Sequence, residues 1–290
     1  MRASPFCDGG RRREETRGGG KRRDRPGAPA YVAPVHTGTD PDPAETTVEH
    51  VALLYALEAE AMPLVERLGL VEQPAVDPCM PQRHFSGRVG TLAIDLLING
   101  RDPRCGTDRV GTDAATLAAF MAIRKLAPDL IINAGTAGGF EARGGSIGAI
   151  YVSVGNLLYH DRHIPIPGFE LQARGAWPAT PAPNLMHAIG AKPGIVTTGN
   201  SLNCTAEERA FFEHERVVAK DMEACAIAQV CAQCGVPFVA VKSITDLVDH
   251  PEAVQDAFLR NLRMASALLA ERMEVAVRWL GAHPRRIAEL

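Results

Sequence analysis

From about residue 50 to the last residue of the sequence, short apolar runs alternate with longer amphipathic ones. The short runs, bounded by polar or glycine positions, predict buried strands at 51–57, 92–98, 129–134, 149–158, 193–198, 217–219 and 237–244. Apolar residues recurring every three to four positions predict helices over 59–68, 111–126, 205–215, 222–235 and 251–280. Strands separated by helices imply a central, largely parallel sheet covered on both faces. In such a sheet the polar residues just past strand ends, where loops converge, are the natural place for a ligand.

Composition divides the chain. The first fifty residues hold seven Gly, six Pro and only four of Val, Ile, Leu or Phe, too little apolar surface to offset the entropy of ordering a backbone. Residues 1–47 are therefore expected to be a disordered extension and residues 48–290 one domain. Residues 1–25 carry nine Lys or Arg, four acids and one Ser. A transit peptide would be Ser-rich and nearly free of acids, so the expected location is cytoplasmic, with organelle targeting by the extension left open. The formal charge of −3 and 5% aromatic content give neither a positive field nor a stacking platform for nucleic acid. No apolar run approaches the roughly 18 residues of a membrane span. Seven cysteines at irregular spacings do not form a disulfide framework and suit a reducing compartment. Cys231 and Cys234 form a lone CxxC without the second pair that a tetrahedral metal site needs.

Four strand ends carry candidate chemistry. Glu58 and Glu60 follow the first strand, where carboxylates in a first helical turn are also favoured by the macrodipole alone. The 129–140 run opens into a glycine-rich turn whose backbone could approach a ligand, with Thr136 and the amides as donors; it is neither a Walker loop nor a GxGxxG. Glu223 begins a helix of small apolar residues, and a carboxylate there is expensive unless it meets donors such as sugar hydroxyls. Asp246 ends a long buried strand, as a functional acid or as the N-cap of the next turn.

Taken in order, the segments ALEAE (56–60), IINAGTAGGF (131–140), HDRHIPIP (160–167), KDMEACA (220–226) and KSITDLVD (242–249) resemble the plant-type 5′-methylthioadenosine/S-adenosylhomocysteine nucleosidases of the nucleoside phosphorylase superfamily. The resemblance spans about residues 48–285. It implies a three-layer α/β/α sandwich around a twisted mixed sheet, and hydrolysis of the N9–C1′ bond of a 5′-thioadenosine without cofactor or metal. Glu60 matches the base for the attacking water, Asp246 the acid at adenine N7, and Glu223 the partner of the ribose 2′ and 3′ hydroxyls. Met222 matches a contact to the ribose, Thr136 lines the same pocket, and Lys220 belongs to the same motif. The TGNSLNC segment (198–204) matches an adenine-binding loop, with Leu202 and Asn203 packing on the base; many relatives carry Asp where this chain has Asn200. The 160–167 segment resembles a loop that closes on the 5′-thio group of a neighbouring subunit, implying a homodimer. Near that end the sequence offers Phe85, Arg101, Arg104, Ile164, Pro165 and Phe169.

The chemistry accounts for three carboxylates. Adenine leaves readily only after N7 takes a proton, so one acid must stay protonated near neutral pH, which burial achieves. Water then adds to a cationic sugar with loss of a proton to a base. A phosphorolytic relative would instead need a phosphate site after the first strand, where Glu58 and Glu60 would repel it. A non-catalytic nucleoside-binding or storage protein on the same scaffold would gain little from keeping all three acids. Whether S-adenosylhomocysteine is accepted beside methylthioadenosine is left open.

Overall fold

Every residue of the first strand, β1 (His50–Tyr55), after His50 is buried, which requires a layer of helices on each side of it. Val51, Leu53 and Tyr55 point into one core, and Ala52 and Leu54 into another. The computed structural model describes residues 43–250 and 252–290. After β1 the order is α1 (Glu58–Leu68), β2 (Val71–Gln73), β3 (Arg83–Val89), β4 (Leu92–Ile98), α2 (Thr112–Leu126) and β5 (Leu130–Gly139). Then come β6 (Ile150–Ser153), β7 (Asn156–Tyr159), α3 (Glu170–Arg174), β8 (Gly175–Pro178), α4 (Pro183–Ala188) and β9 (Lys192–Thr198). The chain closes with α5 (Ala206–His214), β10 (Val217–Asp221), α6 (Ala224–Cys234), β11 (Phe238–Leu247) and α7 (Val254–Ala282).

These strands form one sheet in the order β2-β3-β4-β1-β5-β11-β6-β9-β7-β8, with β10 joining β5 to β9. The sheet is mixed: β1 runs parallel to β4 and β5, and β5 to β11, whereas β3–β4, β5–β10 and β6–β11 are antiparallel. Residues of α1, α4 and α7 cover one face and residues of α2 and α6 the other, giving an α/β/α sandwich. Alanines at 115, 119 and 122 of α2 and at 224, 226 and 228 of α6 let these two helices pack closely over the sheet.

The expected extension ends earlier than composition suggests. Residues 43–45 form a 3-10 turn, Thr47 bridges to Arg286, and the Arg286 guanidinium pairs with Glu45 at 2.7 Å. The remainder of that expectation, residues 1–42, lies outside the described residues. The apolar run 149–158 is two strands instead of one, broken at Gly155, whose φ of +66° suits glycine. Among the described residues no helix is long and apolar enough to cross a membrane.

Candidate active site

The glycine-rich run 135–139 is strand instead of turn: β5 continues through Gly139, paired with β11 from Ile131 onward. Its glycines admit the protein's own side chains. A Cβ on Gly138 would stand 2.8 Å from Asp246 Oδ2, and one on Gly139 would stand 2.7 Å from the Ile244 side chain. Asp246 therefore comes from within a strand, which removes the N-cap alternative. A register shift between Ile244 and Asp246 re-aims the residues that follow, as bulges beside functional sites do.

At the ends of β1, β5, β10 and β11 lies a cavity of about 290 Å³. Glu60, Thr136, Leu202, Lys220, Met222, Glu223 and Asp246 all line it. Side chains distant in sequence thus converge on one space. Asn203 does not line it and is exposed. Nor do Phe85, Arg101, Arg104, Ile164, Pro165 or Phe169: Phe85 is a core residue beside α1, and the Arg104 side chain is 88% exposed. Sequence reasoning did not single out Val110 and Phe258, two further wall residues with no polar atom to mark them.

The three carboxylates sit in different electrostatic settings. Glu60, in the first turn of α1, accepts from the Thr136 amide at 2.7 Å, the Thr136 hydroxyl at 2.5 Å and the Leu57 amide at 3.2 Å. Burial raises its pKa, opposed by those donors and by the Lys242 charge. Asp246 accepts from the Thr245 hydroxyl at 2.8 Å, and burial likewise raises its pKa against that bond and the Lys220 charge. More donors favour the ionised form at Glu60 than at Asp246. Glu223, the N-cap residue of α6, accepts from the Gly111 amide at 2.8 Å. Burial, then the neighbouring Asp221 charge, pushes its pKa up to about 7.

Beneath them lies an ion pair that local sequence gave no reason to single out. Lys242 and Asp221 meet at 2.7 Å with side chains 1% and 0% exposed. Lys242 also donates to Asn133 Oδ1 at 2.7 Å, while Asp221 accepts from the Thr198 hydroxyl at 2.5 Å and the Ala224 amide at 2.9 Å. Every charged atom is thus satisfied. Replacing Lys242 with Met strands the Asp221 charge, and a loss of about 3–5 kcal/mol is expected. A urea titration at pH 7 should show a lower midpoint at unchanged slope; an unaltered midpoint would contradict the pairing. Lys220, the residue before Asp221 in β10, donates to Ser201 O at 2.6 Å and Leu202 O at 2.9 Å, holding the 198–204 segment against β10.

The amino terminus of α1 is closed to anions. The Glu58 amide donates to Asp108 Oδ2 at 3.1 Å, and the Glu58 carboxylate pairs with Arg83 at 2.7 Å and Arg101 at 3.0 Å. A phosphate at this helix end would have to displace Asp108 from the Glu58 amide and Glu60 from the Leu57 amide. The cleft thus holds three buried carboxylates in unlike settings.

Comparison with known proteins bears on the same cleft. The family model of the phosphorylase superfamily matches residues 50–276. A 5′-methylthioadenosine nucleosidase of Arabidopsis thaliana is 38% identical over 77% of this chain and 84% of its own length. A 5′-methylthioadenosine/S-adenosylhomocysteine nucleosidase of the same plant is 36% identical over 77% of this chain and 89% of its own. The solved apo structure of an Arabidopsis thaliana 5′-methylthioadenosine nucleosidase superposes with a TM-score of 0.81 at 34% identity, covering 84% of this chain and all (100%) of the other.

Proposed function

The chain belongs to the phosphorylase superfamily, and on that footing we propose that it hydrolyses the N-glycosidic bond of 5′-methylthioadenosine, releasing adenine and 5-methylthioribose for methionine salvage. The observation that carries this reading is the convergence of Glu60, Glu223 and Asp246 on one cavity. Asp246 protonates adenine N7, Glu60 takes the proton of the incoming water, and Glu223 accepts from the ribose hydroxyls. Met222 packs on the ribose, Thr136 orients Glu60, and the segment held by Lys220 contacts the base through Leu202. The acids divide the work: one makes the leaving group neutral, one makes the nucleophile, and one fixes the sugar while favouring its positive charge. No cofactor is required by these steps.

Two copies are proposed to associate. Val110, at the cavity wall, is 46% exposed, and Leu117 and Phe120 on one side of α2 are 40% and 47% exposed, an apolar surface that suits a partner. Ile166 and Phe169, beyond the single-chain cavity and also exposed, are proposed to contact such a partner. A reducing, cytoplasmic setting is proposed from the free thiols of the six described cysteines. Residues 48–290 are read as the catalytic domain, with the 43–47 segment attached to it.

Adenine release from 5′-methylthioadenosine, followed in phosphate-free buffer, tests the assignment. The expected rate is the same with and without added phosphate. A rate that requires phosphate would make the protein a phosphorylase, and no release in either buffer would leave a binding protein.

A further inference from the structure

We propose that Asn200 is a positioning residue for ribose recognition: it ties the start of α2 to the 160–167 segment and thereby aims the Gly111 amide at Glu223. This inference rests on the nucleosidase reading given above and adds to it a residue outside the cavity wall.

Helix α2 starts at Thr112, and its N-cap, Gly111, has no side chain with which to cap it. Asn200 supplies the missing acceptor from another segment. Its Oδ1 accepts from the Thr112 amide at 2.9 Å and from the Thr112 hydroxyl at 3.0 Å. Its Nδ2 donates to Asp161 Oδ2 at 3.1 Å, and its backbone amide donates to the same oxygen at 2.6 Å. These partners fix the orientation of the amide, because a backbone N–H can only donate and a carboxylate only accept. With Thr112 held in this way, the preceding N–H, that of Gly111, points at Glu223 Oε1.

Two features of Gly111 show how closely the arrangement is fitted. Its φ of +95° is a conformation that L side chains rarely adopt, and a Cβ there would stand 2.9 Å from Asn200 Oδ1. The contact thus leaves no room for a side chain between Asn200 and the helix start. An amide at position 200 matches both neighbours in this chain, since it accepts on the Thr112 side and donates on the Asp161 side. A carboxylate could still accept from Thr112, but it would present a second negative oxygen to Asp161. Asn200 itself is exposed and absent from the cavity lining, so its influence on substrate passes through Gly111 and Glu223.

The test compares 5′-methylthioadenosine with its 2′-deoxy analogue, which lacks one of the hydroxyls that Glu223 holds. In Asn200→Ala and Asn200→Asp, kcat/KM for the ribonucleoside is expected to fall about 10- to 30-fold, and for the deoxy analogue about 3-fold or less, the range of one charge-assisted hydrogen bond. The preference for the 2′-hydroxyl therefore narrows. Adding Asp161→Asn to Asn200→Asp removes the facing charge and should recover at least about 3-fold of the ribonucleoside loss. Thermal melts of both single variants check that the fold is kept, and the isosteric Asn200→Asp provides the measurement if the alanine variant does not fold. Equal losses on the two substrates, or no loss on either, would overturn the proposal. Failure of the unmodified protein to cleave the ribonucleoside at all would instead refute the nucleosidase reading.

Discussion

Asp246→Asn is expected to lower kcat for 5′-methylthioadenosine by about 10²- to 10⁴-fold, the usual contribution of a positioned general acid. Asparagine keeps the shape of the side chain, the bond from the Thr245 hydroxyl and the close fit against Gly138. It can still donate a hydrogen bond to a base nitrogen but has no proton to give up. Binding of adenine should change little, so the loss falls on kcat more than on KM. A substrate whose leaving group needs no proton, such as a 4-nitrophenyl 5-thioriboside, should be cleaved by the variant within about tenfold of the unmodified rate. The pH profile gives a second reading. Burial raises the Asp246 pKa, so activity should fall as pH rises through that value, and the variant should lack this alkaline limb. Adenine release within about tenfold of normal would remove Asp246 from the acid role.

How far the sequence anticipates this site depends on burial. The predicted strand 92–98 coincides with β4, a short run that is mostly buried, and the predicted helix 59–68 falls within α1, which buries residues 60, 61, 64 and 65 on one face. Strands β2, β3 and β8 escape the same reasoning. β2 lies at the sheet edge with Val71 and Glu72 exposed, β3 carries Arg83, Ser86, Gly87 and Arg88 among its seven residues, and β8 is a four-residue strand ending in proline. Their pairing is set by neighbours, not by an apolar run of their own. The catalytic candidates were legible because carboxylates stand out against apolar strand ends. Asp221 and Lys242 belonged to quoted motifs, but their pairing joins two strands that are not neighbours in the sheet, and no local pattern announces it. The glycines of β5 were visible as glycines, yet what approaches them is Asp246 and Ile244, a fact that only the strand register reveals.

Glu60→Gln should be as damaging to turnover, about 10²- to 10⁴-fold in kcat, for a different reason that the same probes distinguish. Here the water lacks its base, so a leaving group that needs no proton does not restore the rate. The geometry adds a second consequence. Glu60 receives three donors, two from Thr136 on Oε1 and the Leu57 amide on Oε2. If the glutamine oxygen stays with Thr136, its NH₂ faces the Leu57 amide, donor against donor, at the start of α1. That contact destabilises the helix end by about 1–3 kcal/mol if the amide loses its only acceptor. Against this stands the removal of a buried carboxylate whose pKa is raised in the folded protein. A group of that kind contributes stability below its unfolded pKa and loses it as pH rises through the folded value, because the unfolded chain then holds fewer protons than the native one. The variant should therefore compare less favourably with the parent at pH 5 than at pH 8. Its activity profile should also lack the acid limb, since no base remains to be protonated. A variant that keeps the acid limb would show that some other group takes the proton from water, and Glu223, the third carboxylate on the same cavity, would be the next to replace.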